Sequence, residues 1–267
     1  MGFELSGFLE KRPNRVLIMA KVPHHTAIIM DGNRRWAKGR GLDIIRGHNQ
    51  GAETLKDVCK AASENQVRWL TVFAFSAQNW NRPEPEVSGL LKLMRRFLMS
   101  EIEDLIHNNI RLRIIGNRKN FSKDLQYLLS KSERLTAENT GLNLTVALDF
   151  GGQQDITQAT RQIAEEVAAG VIDPQLVNND FVKSRLQTAI LPPVDLMIRT
   201  GGEKRISNFL LWDLSYAELY FSESYWPDFK TSDFVSAVAE FKNRERRFGG
   251  NHADNDKNLS TISGDSS

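Results

Sequence analysis

The sequence places a carboxylate and two guanidinium groups directly after a short hydrophobic stretch. Turn-forming residues bound the apolar run at 27–30, which favours a buried strand. Ligands of parallel α/β sheets lie beyond the carboxyl ends of the strands, where Asp31 would stand. A carboxylate suits Mg²⁺, Gly32 allows a ligand to approach, and Arg34 and Arg35 suit phosphate oxygens. The pattern predicts a site for a diphosphate with Mg²⁺. The alternative is a turn in which Asp31 caps a helix and the arginines face solvent.

Three more polar segments follow predicted strands. The four segments, at 31–36, 76–82, 149–155 and 199–207, carry Arg34, Arg35, Arg82, Arg199 and Arg205. A parallel sheet would gather these segments at one edge, where the arginines could bind one or two diphosphates. The chain has no Gly-x-x-x-x-Gly-Lys-Ser/Thr motif and no Gly-x-Gly-x-x-Gly after a strand. These absences count against nucleoside triphosphate and dinucleotide sites.

A histidine and a second acidic residue are further candidates. His48 could donate a hydrogen bond to phosphate or move a proton, or could simply begin a helix. Glu218, in the last predicted strand, could be a second metal ligand or an exposed carboxylate. Zinc is disfavoured because the spacing of His24, His25 and His48 fits no trusted zinc pattern and the chain has 1 cysteine.

The composition is that of an ordinary soluble protein. The chain has 267 residues, 40% of them hydrophobic and 25% charged, with a net charge of +2. Such a small charge gives no reason to expect a nucleic-acid partner. No run approaches the ~18 apolar residues of a membrane span. Because a lone cysteine fits a reducing compartment, we expect a cytoplasmic protein.

Hydrophobic periodicity predicts alternating strands and helices. We expect an α/β fold with a single domain at 23–250, in which helices flank about six mainly parallel strands. An extension at 1–22 and a disordered tail at 251–267 complete the predicted organisation. The predicted strands are 27–30, 68–75, 110–116, 142–150, 194–198 and 217–222; the predicted helices are 47–65, 86–107, 121–138, 153–169, 178–189 and 231–247.

The helix predicted at 86–107 carries a broad apolar stripe that includes Leu90, Met94 and Phe97. The simpler interpretation is that the stripe packs on the sheet. A second interpretation is that part of it lines an apolar cavity.

Several longer motifs, in this order along the chain, resemble the cis-prenyltransferase family, and most closely its bacterial undecaprenyl diphosphate synthases. The resemblance covers about residues 24–250. Its main motifs are Ile-Met-Asp-Gly-Asn-Arg-Arg-Trp-Ala at 29–37, Asn-Trp-Asn-Arg-Pro at 79–83, Ile-Arg-Thr-Gly-Gly-Glu at 198–203, Arg-Ile-Ser-Asn-Phe-Leu-Leu-Trp at 205–212 and Arg-Arg-Phe-Gly-Gly at 246–250.

The resemblance implies a reaction and roles for residues. An allylic diphosphate, usually farnesyl diphosphate, would be elongated in cis by isopentenyl diphosphate, in an apolar tunnel. Asp31 would be catalytic and would bind Mg²⁺, with Glu218 near the metal. Asn79 occupies the position assigned to proton removal, although an amide is a poor base, so we expect it to position groups. The implied substrate-binding residues are Gly32, Asn33, Arg34, Arg35, Trp36, His48, Ser76, Ala77, Gln78, Trp80, Arg82, Arg199, Arg205, Ile206 and Ser207.

The resemblance also implies partners. The family forms homodimers, and the segment Arg247-Phe248-Gly249 resembles one that reaches the partner's site. The lipid product would be delivered to the membrane, which allows membrane association.

The sequence departs from the family's usual residues at several positions. Ile44 stands where an arginine is common, and Arg40 or Arg46 could compensate. Other departures are Ala77, Gln78, Asp149, Phe150, Gln153 and Lys204. Ala74 is small, which favours a long tunnel and product. The departures leave open a specialised synthase of short or branched terpenoid diphosphates, and a non-catalytic partner subunit.

Overall fold

One parallel sheet organises the chain. A computed structural model describes residues 22–244. The strands in this range are β1 (His25–Ile29), β2 (Trp69–Ser76), β3 (Arg111–Ile115), β4 (Asn143–Phe150), β5 (Leu196–Arg199) and β6 (Glu218–Phe221). Their order across the sheet is β3-β4-β2-β1-β5-β6, and every neighbouring pair is parallel. The predicted α/β class and the number of strands are confirmed.

Helices connect the strands and cover the sheet. They are α1 (Asn33–Gly39), α2 (Ile44–Glu64), α3 (Glu84–Ser100), α4 (Ile102–His107), α5 (Lys123–Leu135), α6 (Gly152–Ala168), α7 (Asn179–Arg185) and α8 (Thr231–Asn243). Short 3₁₀ turns lie at Ala77–Asn81, Pro174–Leu176 and Trp226–Asp228. Within residues 22–244, none of these helices has the length and apolar character needed to cross a membrane. Residues 1–21 of the predicted extension (1–22) and everything after 244, including 246–250 and the tail, lie outside the described residues.

Strand residues alternate between two hydrophobic layers. Ile28 belongs to the layer with α2, α3, α5 and α8, whereas Ala27 and Ile29 face the opposite layer with Met197 and Phe209. All five residues of β1 are buried because the strand is covered on both faces. Such burial explains why the central strands are continuous apolar runs.

The structure corrects three predicted helices. The helix predicted at 86–107 is two helices, α3 and α4, which separate at Glu101. Lys56 of α2 contacts the Glu101 carboxylate at 2.9 Å. Apolar spacing continues through the break, so periodicity could not reveal it. The helix predicted at 178–189 ends at Arg185, and Leu135, expected to face inward, is 48% exposed.

The strand order creates a crevice between β1 and β5. From β1 the chain moves to β2 on one side of the sheet and later reaches β5 on the other. Such a reversal of strand order opens a binding crevice at the carboxyl ends of the strands. Asp31 follows β1 there, and Thr200 follows β5.

His25 is a buried histidine at the opposite end of β1. Its Nδ1 lies 2.8 Å from the carbonyl oxygen of Pro192, and its Nε2 lies 2.8 Å from Oγ1 of Thr71. Because a carbonyl can only accept, Nδ1 donates, and the neutral ring accepts from the Thr71 hydroxyl at Nε2. Burial lowers the pKa of His25 to about 4. The ring is therefore neutral at physiological pH.

The low pKa of His25 predicts an acid-sensitive fold. The unfolded chain binds this proton more readily, so the free energy of unfolding falls as the pH drops from about 6.5 towards about 4. For His25 alone, the free energy of unfolding falls by about 2 kcal/mol between pH 7 and pH 5. Urea unfolding at both pH values should show a loss of at least this size, and His25→Gln should reduce the loss by about 2 kcal/mol. An equal loss in both proteins would contradict the assignment.

Candidate active site

The backbone of Asp31 is held from three directions at the end of β1. Its N–H donates to the carbonyl of Ile29 at 2.9 Å. Its own carbonyl accepts from Oγ1 of Thr200 at 2.7 Å and from the N–H of Trp226 at 2.9 Å. The carboxylate therefore projects from a rigid support into the crevice.

The carboxylate of Asp31 is surrounded by donors. Oδ1 accepts from the N–H of Gly32 at 2.7 Å and lies 3.3 Å from Nη2 of Arg35, and Oδ2 accepts from Nη2 of Arg199 at 2.8 Å. Burial acts to raise the pKa of Asp31, but the hydrogen bond and charge of Arg199, with Arg35 and the Gly32 amide, hold it below its ordinary value. The Asp31 carboxylate is therefore ionised at neutral pH.

Gly32 allows the chain to turn from β1 directly into α1. Its φ is +109°, and a Cβ at this position would lie 2.8 Å from the Tyr225 ring. The segment predicted as a polar loop at 31–36 is therefore mostly helix. Of the seven residues of α1 only Ala37 is buried, so no apolar periodicity marks the helix in the sequence. The helix presents Arg34, Arg35 and Lys38 to the crevice.

Glu86 gathers two arginines on one side of the crevice. Its Oε1 lies 3.6 Å from Nε of Arg34 and accepts from Nη1 of Arg82 at 3.1 Å, and the Glu86 side chain is 7% exposed. His48 lies beside these arginines, and its buried Nε2 has no hydrogen-bond partner among the described residues. Burial, followed by the charges of Arg82 and Arg34, lowers the pKa of His48 to about 4. A neutral imidazole with a free ring nitrogen next to two cations suits an anionic ligand.

A second cationic group follows β5. Arg199 is 3% exposed, and its Nη1 donates to the carbonyl of Arg205 at 2.5 Å and to Oγ of Ser207 at 2.7 Å. Glu203 contacts Arg205 at 2.5 Å and Arg35 at 3.5 Å. Arg35 therefore connects this group to Asp31.

The segment after β2 is a 3₁₀ turn rather than an open loop. Oδ1 of Asn79 accepts from the N–H of Ser76 at 2.9 Å, and the Ser76 side chain accepts from the N–H of Asn79 in return. Trp80 packs against Phe75 and Phe121, with ring centroids 5.0 and 5.7 Å apart, so it belongs to the hydrophobic layer. Asn79 is thus fixed by its own turn, with its amide at the cavity.

An apolar cavity of about 940 Å³ extends from Asp31 and the arginines into the layer between the sheet and the helices. Its deep walls come from α3 and from strands β3 and β4, namely Leu90, Leu93, Met94, Phe97, Leu98, Leu112, Ile114, Val146 and Leu148, together with Leu129 of α5. Leu90, Met94 and Phe97 are only partly buried, as expected for side chains that face a hollow. The two interpretations apply to different parts of the 86–107 stripe: the part in α3 lines the cavity and packs against α2 and α5, and the part in α4 packs on β3.

The family model described as "Putative undecaprenyl diphosphate synthase" matches residues 29–249. The chain belongs to this cis-prenyltransferase family. It is 50% identical over 233 residues to a protein of Salmonella paratyphi A named ditrans,polycis-undecaprenyl-diphosphate synthase ((2E,6E)-farnesyl-diphosphate specific), a match that covers 87% of this chain and 92% of that one. It is 47% identical over 228 residues to an isoprenyl transferase of Brucella suis, with 85% and 90% covered.

Solved structures of other cis-prenyltransferases share the fold. Lavandulyl diphosphate synthase from Lavandula x intermedia, in complex with dimethylallyl diphosphate, matches with a TM-score of 0.83 and 37% identity over 86% of this chain and 99% of that one. A probable undecaprenyl diphosphate synthase from Campylobacter jejuni matches with a TM-score of 0.72 and 32% identity over 86% and 100%.

The structure brings most of the predicted site residues of this cis-prenyltransferase together. The cavity is lined by Asp31, Gly32, Asn33, Arg34, Arg35, His48, Ser76, Gln78, Asn79, Arg82, Arg199, Arg205 and Ser207. Their roles stay predictions. Sequence reasoning gave no role to three further residues at the site, Lys38, Glu86 and Asn208, of which Asn208 lies within the motif at 205–212.

Other predicted residues do not line the cavity, namely Trp36, Ala77, Trp80, Ile206 and Glu218. Trp36 faces away because its Nε1 donates to Asp228 at 2.7 Å, and the guanidinium of Arg40 lies 4.4 Å from its ring centroid. Arg40 also contacts Asp228 at 3.0 Å. Neither Arg40 nor Arg46 borders the cavity, so the structure does not support compensation for Ile44 by either residue.

Glu218 lies away from Asp31 within this chain. It begins β6 and is paired in register with Leu196, whereas Phe221 is level with Arg199 and Ile29 at the mouth of the crevice. At about 3.3 Å per residue, Glu218 is about 10 Å back from that level. Its carboxylate accepts from Arg244 at 3.0 Å. The structure therefore does not bring the two predicted metal ligands together, and a metal role for Glu218 stays a prediction.

The donor chemistry at Asp31 fits Mg²⁺ when a diphosphate is present. Residues 22–244 contain no group of three or more His, Cys, Asp or Glu side chains that could hold a metal. Mg²⁺ in proteins is usually bound by one or two carboxylates together with substrate phosphates and water. One rigidly held, ionised carboxylate beside a cluster of arginines matches this arrangement.

The position of His48 predicts a response to anions. Binding of inorganic diphosphate next to the ring should raise the pKa of His48 from about 4 by at least about one unit, because the anion favours the imidazolium. NMR of the ring nitrogens across pH 4–8, with and without diphosphate, measures this shift. The exposed His107 serves as the internal reference. A His48 ring that titrates at about 6.5 in the free protein would contradict the assignment.

Proposed function

We propose that this cis-prenyltransferase condenses isopentenyl diphosphate with an allylic diphosphate, farnesyl diphosphate, and gives undecaprenyl diphosphate. The observation that carries the proposal is that an apolar cavity of about 940 Å³ is continuous with a crevice lined by arginines. Small-molecule pockets span about 300–1,000 Å³, so this cavity is at the large end of the range and suits a long hydrocarbon. The name of the Salmonella relative, at 50% identity, supports the same substrate and product.

The two cationic groups suit the two substrates. The allylic substrate has the longer tail, so its diphosphate should lie where the apolar cavity opens, against α1. Arg34, Arg82 and the free Nε2 of His48 supply positive charge and a polar partner there. Isopentenyl diphosphate would then bind at Arg199, Arg205 and Ser207. Because Asp31 lies between the groups, it can act on the reacting ends of both substrates.

The reaction breaks the allylic C–O bond, forms a C–C bond to isopentenyl diphosphate and releases one proton and diphosphate. Mg²⁺, held by Asp31 and diphosphate oxygens, would neutralise negative charge on the leaving group. The arginines stabilise the same charge from fixed positions. Oδ1 of Asn79 is engaged by the N–H of Ser76, so we infer that Asn79 positions the reacting groups and that phosphate accepts the proton.

A homodimer and delivery of product to the membrane complete the proposal. The outer strand β6 has a free edge in the described chain; Leu219 within it is 37% exposed, and Tyr216 just before it is 77% exposed. Exposed apolar residues at a sheet edge favour contact with a second copy. We propose a cytoplasmic enzyme that associates with the membrane because its product is a lipid.

A specialised synthase of short or branched terpenoid diphosphates is the second candidate. It is favoured by the TM-score of 0.83 with lavandulyl diphosphate synthase and by the departures at Ile44, Ala77, Gln78 and Gln153. The large cavity argues for the long product instead. A non-catalytic partner subunit is the third candidate, and the intact Asp31–Arg199 pair argues against it.

Product analysis tests the proposed function. The purified protein, incubated with Mg²⁺, farnesyl diphosphate and isopentenyl diphosphate, should give a series of products that ends at the eleven-unit chain, measured by mass spectrometry. Asp31→Ala should lower the rate at least about 100-fold, because it removes the metal ligand. A short or branched product would establish the second candidate, and no product with any allylic primer would support the third.

Ala74 tests the path of the growing chain. It is the extra residue of a bulge in β2, between Phe73 and Phe75, and it is exposed to the cavity although β2 is a central strand. Ala74→Leu should block part of the cavity and shorten the products, whereas Ala74→Ser should leave their length unchanged. If Ala74→Leu and the wild type give products of the same length, the growing prenyl chain does not pass Ala74.

A further inference from the structure

Asn208 connects the segment that carries Arg205 and Ser207 to the start of α6. Its carbonyl accepts from the N–H of Gly152 at 2.7 Å, and its Oδ1 accepts from the N–H of Gln153 at 2.8 Å. Its Nδ2 donates to Oε1 of Gln154 at 3.0 Å. Three consecutive residues at the helix start are thus bound by a single residue that is distant in sequence.

This connection replaces the usual cap of a helix. The first N–H groups of a helix lack partners within it, and a side chain just before the helix often accepts from them. The residue before α6 is Gly151, which has no side chain to do so. A Cβ at Gly151 would lie 2.8 Å from Nδ2 of Asn208, so the glycine also leaves room for the Asn208 side chain.

The backbone of Asn208 is in the left-handed region, with φ of +61°, and Ser207 before it has φ of +47°. Such a conformation is unfavourable for residues with a side chain and persists when surrounding contacts hold it. The bonds to α6 are contacts of this kind. They orient Ser207, whose Oγ accepts from Arg199 at 2.7 Å.

We propose that Asn208 is a positioning residue for isopentenyl diphosphate, because its hydrogen bonds to the start of α6 hold Arg205 and Ser207 beside Arg199. This proposal rests on the proposed function, since it takes isopentenyl diphosphate as the ligand of that group. The allylic group, Arg34, Arg82 and His48, is supported by Glu86 and α1 and makes none of these bonds. Loss of the Asn208 side chain should therefore affect one substrate and not the other.

The variant Asn208→Gly tests the proposal with little backbone strain. Glycine adopts a positive φ readily, so the substitution removes the two side-chain hydrogen bonds and keeps the turn. Thr157→Ala is the matched control, because Thr157 is exposed on the same helix and its hydroxyl bonds only within α6, to the carbonyl of Gln153 at 2.7 Å. Calorimetry with isopentenyl diphosphate and, separately, with farnesyl diphosphate gives a Kd for each substrate.

For Asn208→Gly we expect the Kd and the KM of isopentenyl diphosphate to rise about tenfold, while both constants for farnesyl diphosphate stay within about twofold. Thr157→Ala should match the wild type. Equal weakening of both substrates, or an unchanged Kd for isopentenyl diphosphate, would overturn the proposal, because a general loss of structure affects both sites.

The binding measurement separates this proposal from the proposed function. If the wild type binds isopentenyl diphosphate in an Asn208-dependent way but forms no product, the proposed function fails and the positioning role stands. If products form and Asn208→Gly binds both substrates like the wild type, the proposed function stands and the positioning role of Asn208 fails. A wild type that does not bind isopentenyl diphosphate overturns both.

Discussion

The buried guanidinium of Arg199 is the constraint on which the site depends. A charge that is 97% shielded from water is costly unless it is paired and hydrogen-bonded. Arg199 finds its partners in Asp31 at the end of β1 and in Ser207 and the Arg205 carbonyl beyond β5. One buried cation therefore joins two neighbouring strand ends. The same contacts keep Asp31 ionised and bring it to the place where a diphosphate can be held.

Two carboxylates pair with the remaining arginines of the site. Glu86 pairs with Arg34 and Arg82, and Glu203 pairs with Arg35 and Arg205. These pairs keep like charges at defined positions, so little reorganisation is needed when a diphosphate binds, which is the condition for strong electrostatic stabilisation of a leaving group.

The sequence predicted the sheet well and the site less evenly, for physical reasons. The central strands are continuous apolar runs because they are buried on both faces, whereas β3 alternates and β6 is only partly buried. All six were found, and their polar ends located the crevice. Helix α1 was missed because it buries only Ala37. Trp36 was predicted to bind substrate, yet its indole donates a hydrogen bond to Asp228, which is 192 residues away in the chain. Asn208 acts through partners at 152–154 that tertiary structure alone brings near, so no spacing in the sequence reveals it. Glu86 lies four residues after Arg82, a local spacing, but its contact with Arg34 depends on tertiary structure.

The large cavity has a consequence for stability as well as for function. Side chains such as Leu90, Met94 and Phe97 forgo the dispersion contacts that a filled interior would give them. An empty apolar cavity destabilises a fold in proportion to its volume. We expect a prenyl chain that enters the cavity to restore those contacts and exclude water, so that apolar burial favours its binding. The cavity therefore links the packing of α3 to affinity for the growing prenyl chain: mutations that fill the cavity should stabilise the free enzyme and weaken its binding of product.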